Sequence, residues 1–157
     1  MAEPKDLIRR AVALSAEKMR EGFGGPFGAV VARDGEILAE GYNQVTAYHD
    51  PTAHAEVVAI REACRKLGSF SLQGCEMYTS CEPCPMCLGA IYWARLDRVY
   101  YANTRSDAAA IGFDDDHIYR ELDKPIDERA VPFIRLESEE ARRAFQEWLE
   151  KPDKIPY

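Results

Sequence analysis

The chain is short of several things, and each shortage excludes a class of protein. It has no apolar run long enough to span a bilayer, which takes about 20 residues in a helix, so no membrane segment is expected. Its start, Met1-Ala2-Glu3-Pro4-Lys5-Asp6, is polar and mixed in charge. Without an apolar h-region no signal peptide is expected, and a cytoplasmic location follows as the expectation. There is no internal repeat and no low-complexity segment, so 157 residues read as one domain, 1–157. Basic charge is scarce: 20 Lys and Arg stand against 27 Asp and Glu, a net charge of −7. A protein held to nucleic acid mainly through phosphates usually carries a basic face, so nucleic acid is not an expected partner. The five cysteines are an odd number, and three cluster between positions 81 and 87. That pattern argues for metal chemistry in a reducing compartment rather than a disulfide framework.

What is present alternates helix and strand signals. Leu7, Ile8, Ala11, Val12, Leu14 and Met19 recur at helical spacing over residues 5–21. The breakers Gly22 to Pro26 end that helix. Phe27 to Val31 and Glu36 to Tyr42 read as strands joined by the hairpin pair Asp34-Gly35. A second helix opens near Asp50-Pro51-Thr52, with Val57, Ile60, Cys64 and Leu67 as its core stripe, and ends at Gly68. A third strand covers 75–80. A third helix runs from Pro85 to Arg95 and is apolar nearly all round, so burial is expected. Further strands are expected over Arg98 to Ala102 and Val131 to Leu136. Short helical signal lies near Ile118 to Leu122, and Ser138 caps a last helix. The pattern predicts an α/β fold: a three-layer α/β/α sandwich around a central five-stranded mixed sheet.

The chemistry concentrates in His54-Ala55-Glu56 and Pro83-Cys84-Pro85-Met86-Cys87. Two thiolates and an imidazole suit zinc, and three protein ligands leave a tetrahedral ion one open position, as in catalytic sites. That position holds a water or hydroxide, with Glu56 as its proton carrier. His54, Cys84 and Cys87 all fall at expected helix starts, where negative charge is favoured and thiol pKa falls. The bland alternative is a closed structural site with Cys81 as fourth ligand. It would leave the placement of Glu56 an accident. Cys64 and Cys75 read as buried filler, and His49 and His117 as surface residues.

Together His-x-Glu and Pro-Cys-x-x-Cys match the established signature of zinc nucleobase deaminases, whose mechanism is known for the class. More of the chain resembles one branch of it. Gly24-Gly25-Pro26-Phe27-Gly28-Ala29, Asp50 to Glu56, Tyr78 to Cys87, Ala90 to Arg95, Gly112-Phe113-Asp114-Asp115, Ile118-Tyr119 and the final Tyr157 are similar to the small bacterial guanine deaminases. The resemblance implies a cytidine deaminase-like fold and one Zn2+ per subunit on His54, Cys84 and Cys87. It makes Glu56 the proton shuttle and Asp115 a second catalytic carboxylate in the pocket. It implies that Asn43 hydrogen-bonds a purine base, with Phe27, Ala55, Trp93 and Tyr157 around it. It further implies a homodimer in which a C-terminal segment, about 137–157, can be exchanged so that Tyr157 reaches the partner's site. The reaction implied is hydrolysis of guanine to xanthine and ammonia.

Read from the residues alone, each of these also has a plainer meaning. Asn43 suits a strand-ending turn, Phe27 and Trp93 suit core, and Asp114 to Asp116 suit a solvated acidic face. Three rival functions stay open at this level. One is deamination of tRNA adenosine, which calls for a basic surface. A second is deamination of another small aminated ring, such as cytosine, adenine or an aminotriazine. The third is a zinc-stapled interaction module without activity.

Overall fold

The computed structural model describes residues 2–157. They form two compact units, one up to Asp115 and the other Asp116–Tyr157.

The first unit is built on helix α1 (Pro4–Arg20), strands β1 (Gly28–Arg33) and β2 (Glu36–Tyr42), helices α2 (Val45–Tyr48) and α3 (Ala55–Leu67), strand β3 (Glu76–Cys81), helix α4 (Pro85–Trp93), strand β4 (Arg98–Asn103) and helix α5 (Arg105–Ala110). The sheet order is β2-β1-β3-β4. β1 runs antiparallel to both neighbours and β3 parallel to β4, so the sheet is mixed as expected. Asp34 and Gly35 both take positive φ, 51° and 79°, the backbone of a tight two-residue hairpin turn.

Helices cover both faces, because successive side chains of a strand point to opposite sides. Ala29 and Val31 of β1 join Met77, Ala55, Ala59, Ala63 and Ile91 in one core. Val30 and Ala32 join Leu7, Ala11, Leu14 and Tyr78 in the other. Tyr78 and Tyr100 stack flat in that second layer with ring centres 4.7 Å apart. The three-layer α/β/α expectation therefore holds.

The sheet has four strands, not five. Val131 to Leu136 forms no ladder among the described residues. Pro132 has no N–H to give a ladder, and the second unit otherwise contains α6 (Asp116–Asp123), a 3-10 turn (Ile126–Glu128) and α7 (Glu139–Glu150), none of which can pair with a strand. Ser138 does cap α7, its Oγ accepting from Ala141 N–H at 3.2 Å.

Two helices differ from expectation in which face they bury. In α3 the fully buried stripe is Ala55, Ala59 and Ala63, while Val57, Ile60 and Cys64 are only partly covered. Gly41 explains it. A Cβ there would collide with the Ala55 carbonyl oxygen and stand 2.5 Å from Ala59 N, so the helix lies directly against the β2 backbone. Such an approach admits only small residues on the facing stripe. In α4 Cys87 and Ile91 are buried, but Met86, Leu88, Tyr92 and Trp93 are exposed, so the apolar helix is not a buried one within the chain.

Candidate active site

The N-termini of α3 and α4 converge, and the chain places its metal-binding residues there. His54 is the N-cap of α3, with extended φ and ψ of −71° and 152°, and its side chain makes no capping bond. The imidazole is thus left to other partners while the His54 carbonyl begins the helix by accepting from Val58 N–H at 2.9 Å. Cys84 repeats the arrangement at the head of α4, its carbonyl accepting from Leu88 N–H at 2.8 Å. Pro85 fits the first helical position, where its missing N–H costs nothing. Cys87 follows one turn on, and α4 buries it.

His54 Nδ1 lies 3.5 Å from Cys84 Sγ and 3.5 Å from Cys87 Sγ. The spacing itself is a test of fit. Zinc sits about 2.3 Å from sulfur and about 2.0–2.1 Å from imidazole nitrogen, so tetrahedral neighbours of those two kinds stand about 3.5 Å apart. Both nitrogen–sulfur sides match zinc, and all three ligand atoms lie within 4.8 Å of one another. Among the described residues no fourth His, Cys, Asp or Glu joins the group. Cys81 is accounted for elsewhere, its Sγ donating to the Thr104 carbonyl at 3.7 Å. Burial, with Glu56, Glu82 and Asp115 nearby, pushes its thiol up to about 11. A closed four-ligand site is therefore not what the geometry offers.

The three groups share protons through their mutual hydrogen bonds. The Cys87 thiol hydrogen-bonds the Cys84 sulfur and, with His54 beside it, holds Cys84 down to about 4. Cys87 is pushed far above its ordinary range, first by that sulfur and then by burial. His54 is raised, chiefly by its hydrogen bond to Cys84.

Glu56, in the first turn of α3, is 6% exposed. Burial is the main cause that pushes its carboxyl pKa up. One hydroxyl reaches it: Thr79 Oγ1 stands 3.4 Å from Glu56 Oε1, and also 3.2 Å from the Cys81 carbonyl and 3.5 Å from the Gly28 carbonyl. Sequence reasoning missed Thr79. The signal was in the strand itself: a hydroxyl inside a strand buried along nearly its whole length needs a polar partner.

Asn43 follows β2 and is 7% exposed. Its Oδ1 accepts from Val45 N–H at 3.0 Å, so the turn reading of this residue is correct. Its backbone N–H donates to the Phe27 carbonyl at 3.1 Å, and Gln44 N–H donates to the Ala53 carbonyl at 3.0 Å, beside His54. Phe27 meets Phe113 edge to face with ring centres 5.0 Å apart. Ala55 is wholly buried under Gly41. Asp115 is partly buried and lies within electrostatic reach of Cys84. Desolvation, then the charges of Cys84 and Glu82, raise its carboxyl pKa against the opposing pull of Arg105. The structure thus places Glu56 against the metal-ligand cluster and Asp115 within electrostatic reach of it, and joins Asn43 to Phe27 through the backbone. Trp93 stands exposed at the last position of α4, and Tyr157, in the second unit, is exposed as well.

A mixed sheet between helices, with this triangle at two helix N-termini and a buried carboxylate next to it, defines a zinc-dependent nucleobase deaminase. The chain belongs to the cytidine and deoxycytidylate deaminase zinc-binding region family, whose model matches residues 1–103. It is 55% identical over 150 residues to a guanine deaminase of Bacillus subtilis, covering 96% of each chain. The crystal structure of guanine deaminase from Bacillus subtilis superposes with a TM-score of 0.95 at 54% identity, over 98% of both chains. A tRNA-specific adenosine deaminase of Aquifex aeolicus is 35% identical over 126 residues, 80% of this chain and 81% of that one.

Proposed function

We propose that this chain removes the 2-amino group of guanine hydrolytically: guanine and water give xanthine and ammonia. One observation carries the choice of base. The family model ends at residue 103, yet the likeness to a guanine deaminase continues over 96% of the chain in sequence and 98% in structure. The shared zinc region alone does not distinguish the substrate; the degree and extent of likeness favour guanine, at 55% identity over 96% of the chain against 35% over 80% for a tRNA-specific adenosine deaminase.

His54, Cys84 and Cys87 would hold zinc, which when bound would lower the pKa of a water to about 7 and so make it a nucleophile. The remaining work falls to side chains. Glu56 accepts the proton that water gives up and returns it to a ring nitrogen, while the water oxygen bonds to C2. Its burial suits both halves of that task, because a carboxyl raised toward neutrality is a better base when ionised and a usable acid when protonated. Thr79 steadies Oε1 of that carboxylate. Asp115, also raised, relays the remaining proton from the C2 hydroxyl to the amine, so that C2=O forms as the C2–N bond breaks and ammonia leaves, and both carboxyls return to their starting states. Asn43 hydrogen-bonds the purine edge and Phe27 offers apolar surface to its face, while Ala55, fully buried, backs the site from the core.

The active form in this reading is a homodimer. The exposed Met86, Leu88, Tyr92 and Trp93 of α4 support a second subunit, which would cover an apolar face of this kind. In the same reading the chain is one deaminase domain whose segment 137–157 is exchanged, so that Trp93 and Tyr157 help to close the pocket. Five free cysteines, two of them metal ligands, suit a reducing cytoplasm. No helix among the described residues is long and apolar enough to cross a membrane.

The test is ammonia release from a panel of purines, pyrimidines and aminotriazines, with and without a chelator, beside a tRNA binding assay. Chelator-sensitive turnover of guanine far above the other bases is expected. Preference for a different base, or inosine formation in tRNA, would overturn the assignment.

A further inference from the structure

Asn43 is more than nine-tenths buried, yet only half of its amide is used. The oxygen is committed to Val45 N–H. Among the described residues the NH2 has no protein partner, and no fully enclosed side-chain N or O is left unsatisfied. The amide nitrogen is therefore not fully enclosed, and in the guanine deaminase reading it faces the base. Because Val45 N–H demands an acceptor, the amide cannot turn over without leaving that donor unpaired. Asn43 can thus offer a ligand two donors and no acceptor.

What prevents the side chain from moving away is the loop before β1. A Cβ on Gly24 would overlap Asn43 Oδ1 and stand 2.8 Å from the Asn43 carbonyl oxygen and 3.0 Å from its carbonyl carbon. The loop cannot retreat. Phe23 N–H donates to the Lys18 carbonyl at 3.2 Å, and the Phe23 carbonyl accepts from Ala47 N–H and from Thr46 Oγ1, each at 3.2 Å. The Phe23 ring meets Tyr42 edge-on at 5.2 Å. On the other side Gly25 is closed in by Phe27 and Phe113, which a Cβ would approach to 3.2 and 3.1 Å. The backbone at Gly24 is a fixed wall against which the Asn43 amide rests.

We infer that Gly24 is a positioning residue that holds the Asn43 amide in one orientation, and that the site thereby selects purine edges presenting an acceptor. This rests on the guanine deaminase reading and refines it. An oxo group or an unprotonated ring nitrogen satisfies the two N–H donors; an exocyclic amine at the same place confronts donor with donor.

Steady-state kinetics on guanine with the zinc-loaded protein decides the matter. Gly24→Ala is expected to raise KM about tenfold or more, with a smaller change in kcat and an unchanged zinc-to-protein ratio, since a mispaired buried donor costs binding. Asn43→Asp keeps an oxygen for Val45 N–H and replaces both donors by an anionic acceptor, so its KM for guanine should rise by about tenfold or more as well. An unchanged KM in Gly24→Ala overturns the positioning role, and loss of zinc in that variant does too, because the glycine would then serve the metal site. If Gly24→Ala does not fold, Asn43→Asp decides alone, and an unchanged KM there overturns the donor-only reading. Wild-type protein with no turnover of guanine would sink the functional assignment itself, a result distinct from all of these.

Discussion

Zinc affinity should fall with acid along a slope that the geometry of the ligand triangle sets. The perturbation is pH, and the magnitude comes from counting protons. Without metal, Cys84 is a thiolate from about 4 upward, Cys87 keeps its proton throughout the useful range, and His54 is an imidazolium up to a pKa above its ordinary 6.5. Zinc takes two thiolates and a neutral imidazole. Binding therefore expels one proton above the His54 pKa, from Cys87, and two below it, from Cys87 and His54. By linkage the apparent association constant rises about tenfold per pH unit in the upper range and about a hundredfold per unit in the lower. The sign is fixed: a raised His54 pKa makes protons the stronger competitor as pH falls. Competition against a chromophoric chelator of known pH dependence reads the slope, and calorimetry in buffers of different ionisation enthalpy counts the protons directly. A pH-independent affinity between 5.5 and 7.5 would refute the reasoning, since it would mean that the three groups are already deprotonated or are not the ligands.

Other perturbations have equally definite outcomes. Glu56→Gln should retain zinc, measured by metal analysis, and lose turnover by about 10²–10⁴-fold, the usual worth of a positioned acid–base group; near wild-type kcat would remove Glu56 from proton transfer. Asp115→Asn should lower kcat on guanine at least about tenfold while leaving zinc content alone, and an unaltered rate would mean that its raised pKa reflects position only. Gly41→Ala should cost stability, about 1–3 kcal/mol as for other overpacked sites, because the methyl meets backbone of α3 that cannot swing aside. Urea unfolding of the zinc-loaded protein measures this, and a midpoint equal to wild type would contradict the close helix–strand approach.

Much of this was legible in the sequence for a local reason. Cys84 and Cys87 are set by a helix start with a strong signal, a Pro after Cys84, and Gly68 marks the end of α3; the start of α3, expected at Asp50-Pro51-Thr52, lies instead at His54, since the Asp50 carboxylate accepts from Thr52 N–H in the turn before it. The alternation in β1 likewise divides its side chains between two cores. What escaped was short or depended on distant backbone. α2 is four residues long, too short to show a period. α5 did have a sign, a capping box between Thr104 and Asp107. In α3 the expected Ile60, Cys64 and Leu67 do pack against the core, but the fully buried stripe is Ala55, Ala59 and Ala63, because a glycine on another strand decides which face lies closest. The strand expected at Val131 to Leu136 had the right composition but, with Pro132 in it, no ladder within its own unit.

The same division separates reaction from substrate. A metal triangle and its proton carrier need only residues whose spacing one helical turn can fix, so a chain that keeps those spacings keeps the chemistry. Recognition of the base has no such local code. Asn43 acquires meaning only because Val45 takes its oxygen and Gly24 blocks its movement, and Asp115 only because folding sets it near Cys84. Each of those residues has an ordinary structural use read singly, and for Asn43 the ordinary use turns out to be the device: the turn that ends β2 is what leaves its donors, and not its acceptor, for the ligand. Substrate choice in this fold is therefore expected to shift through changes in the loop before β1 and the turn after β2, with the zinc ligands left as they are.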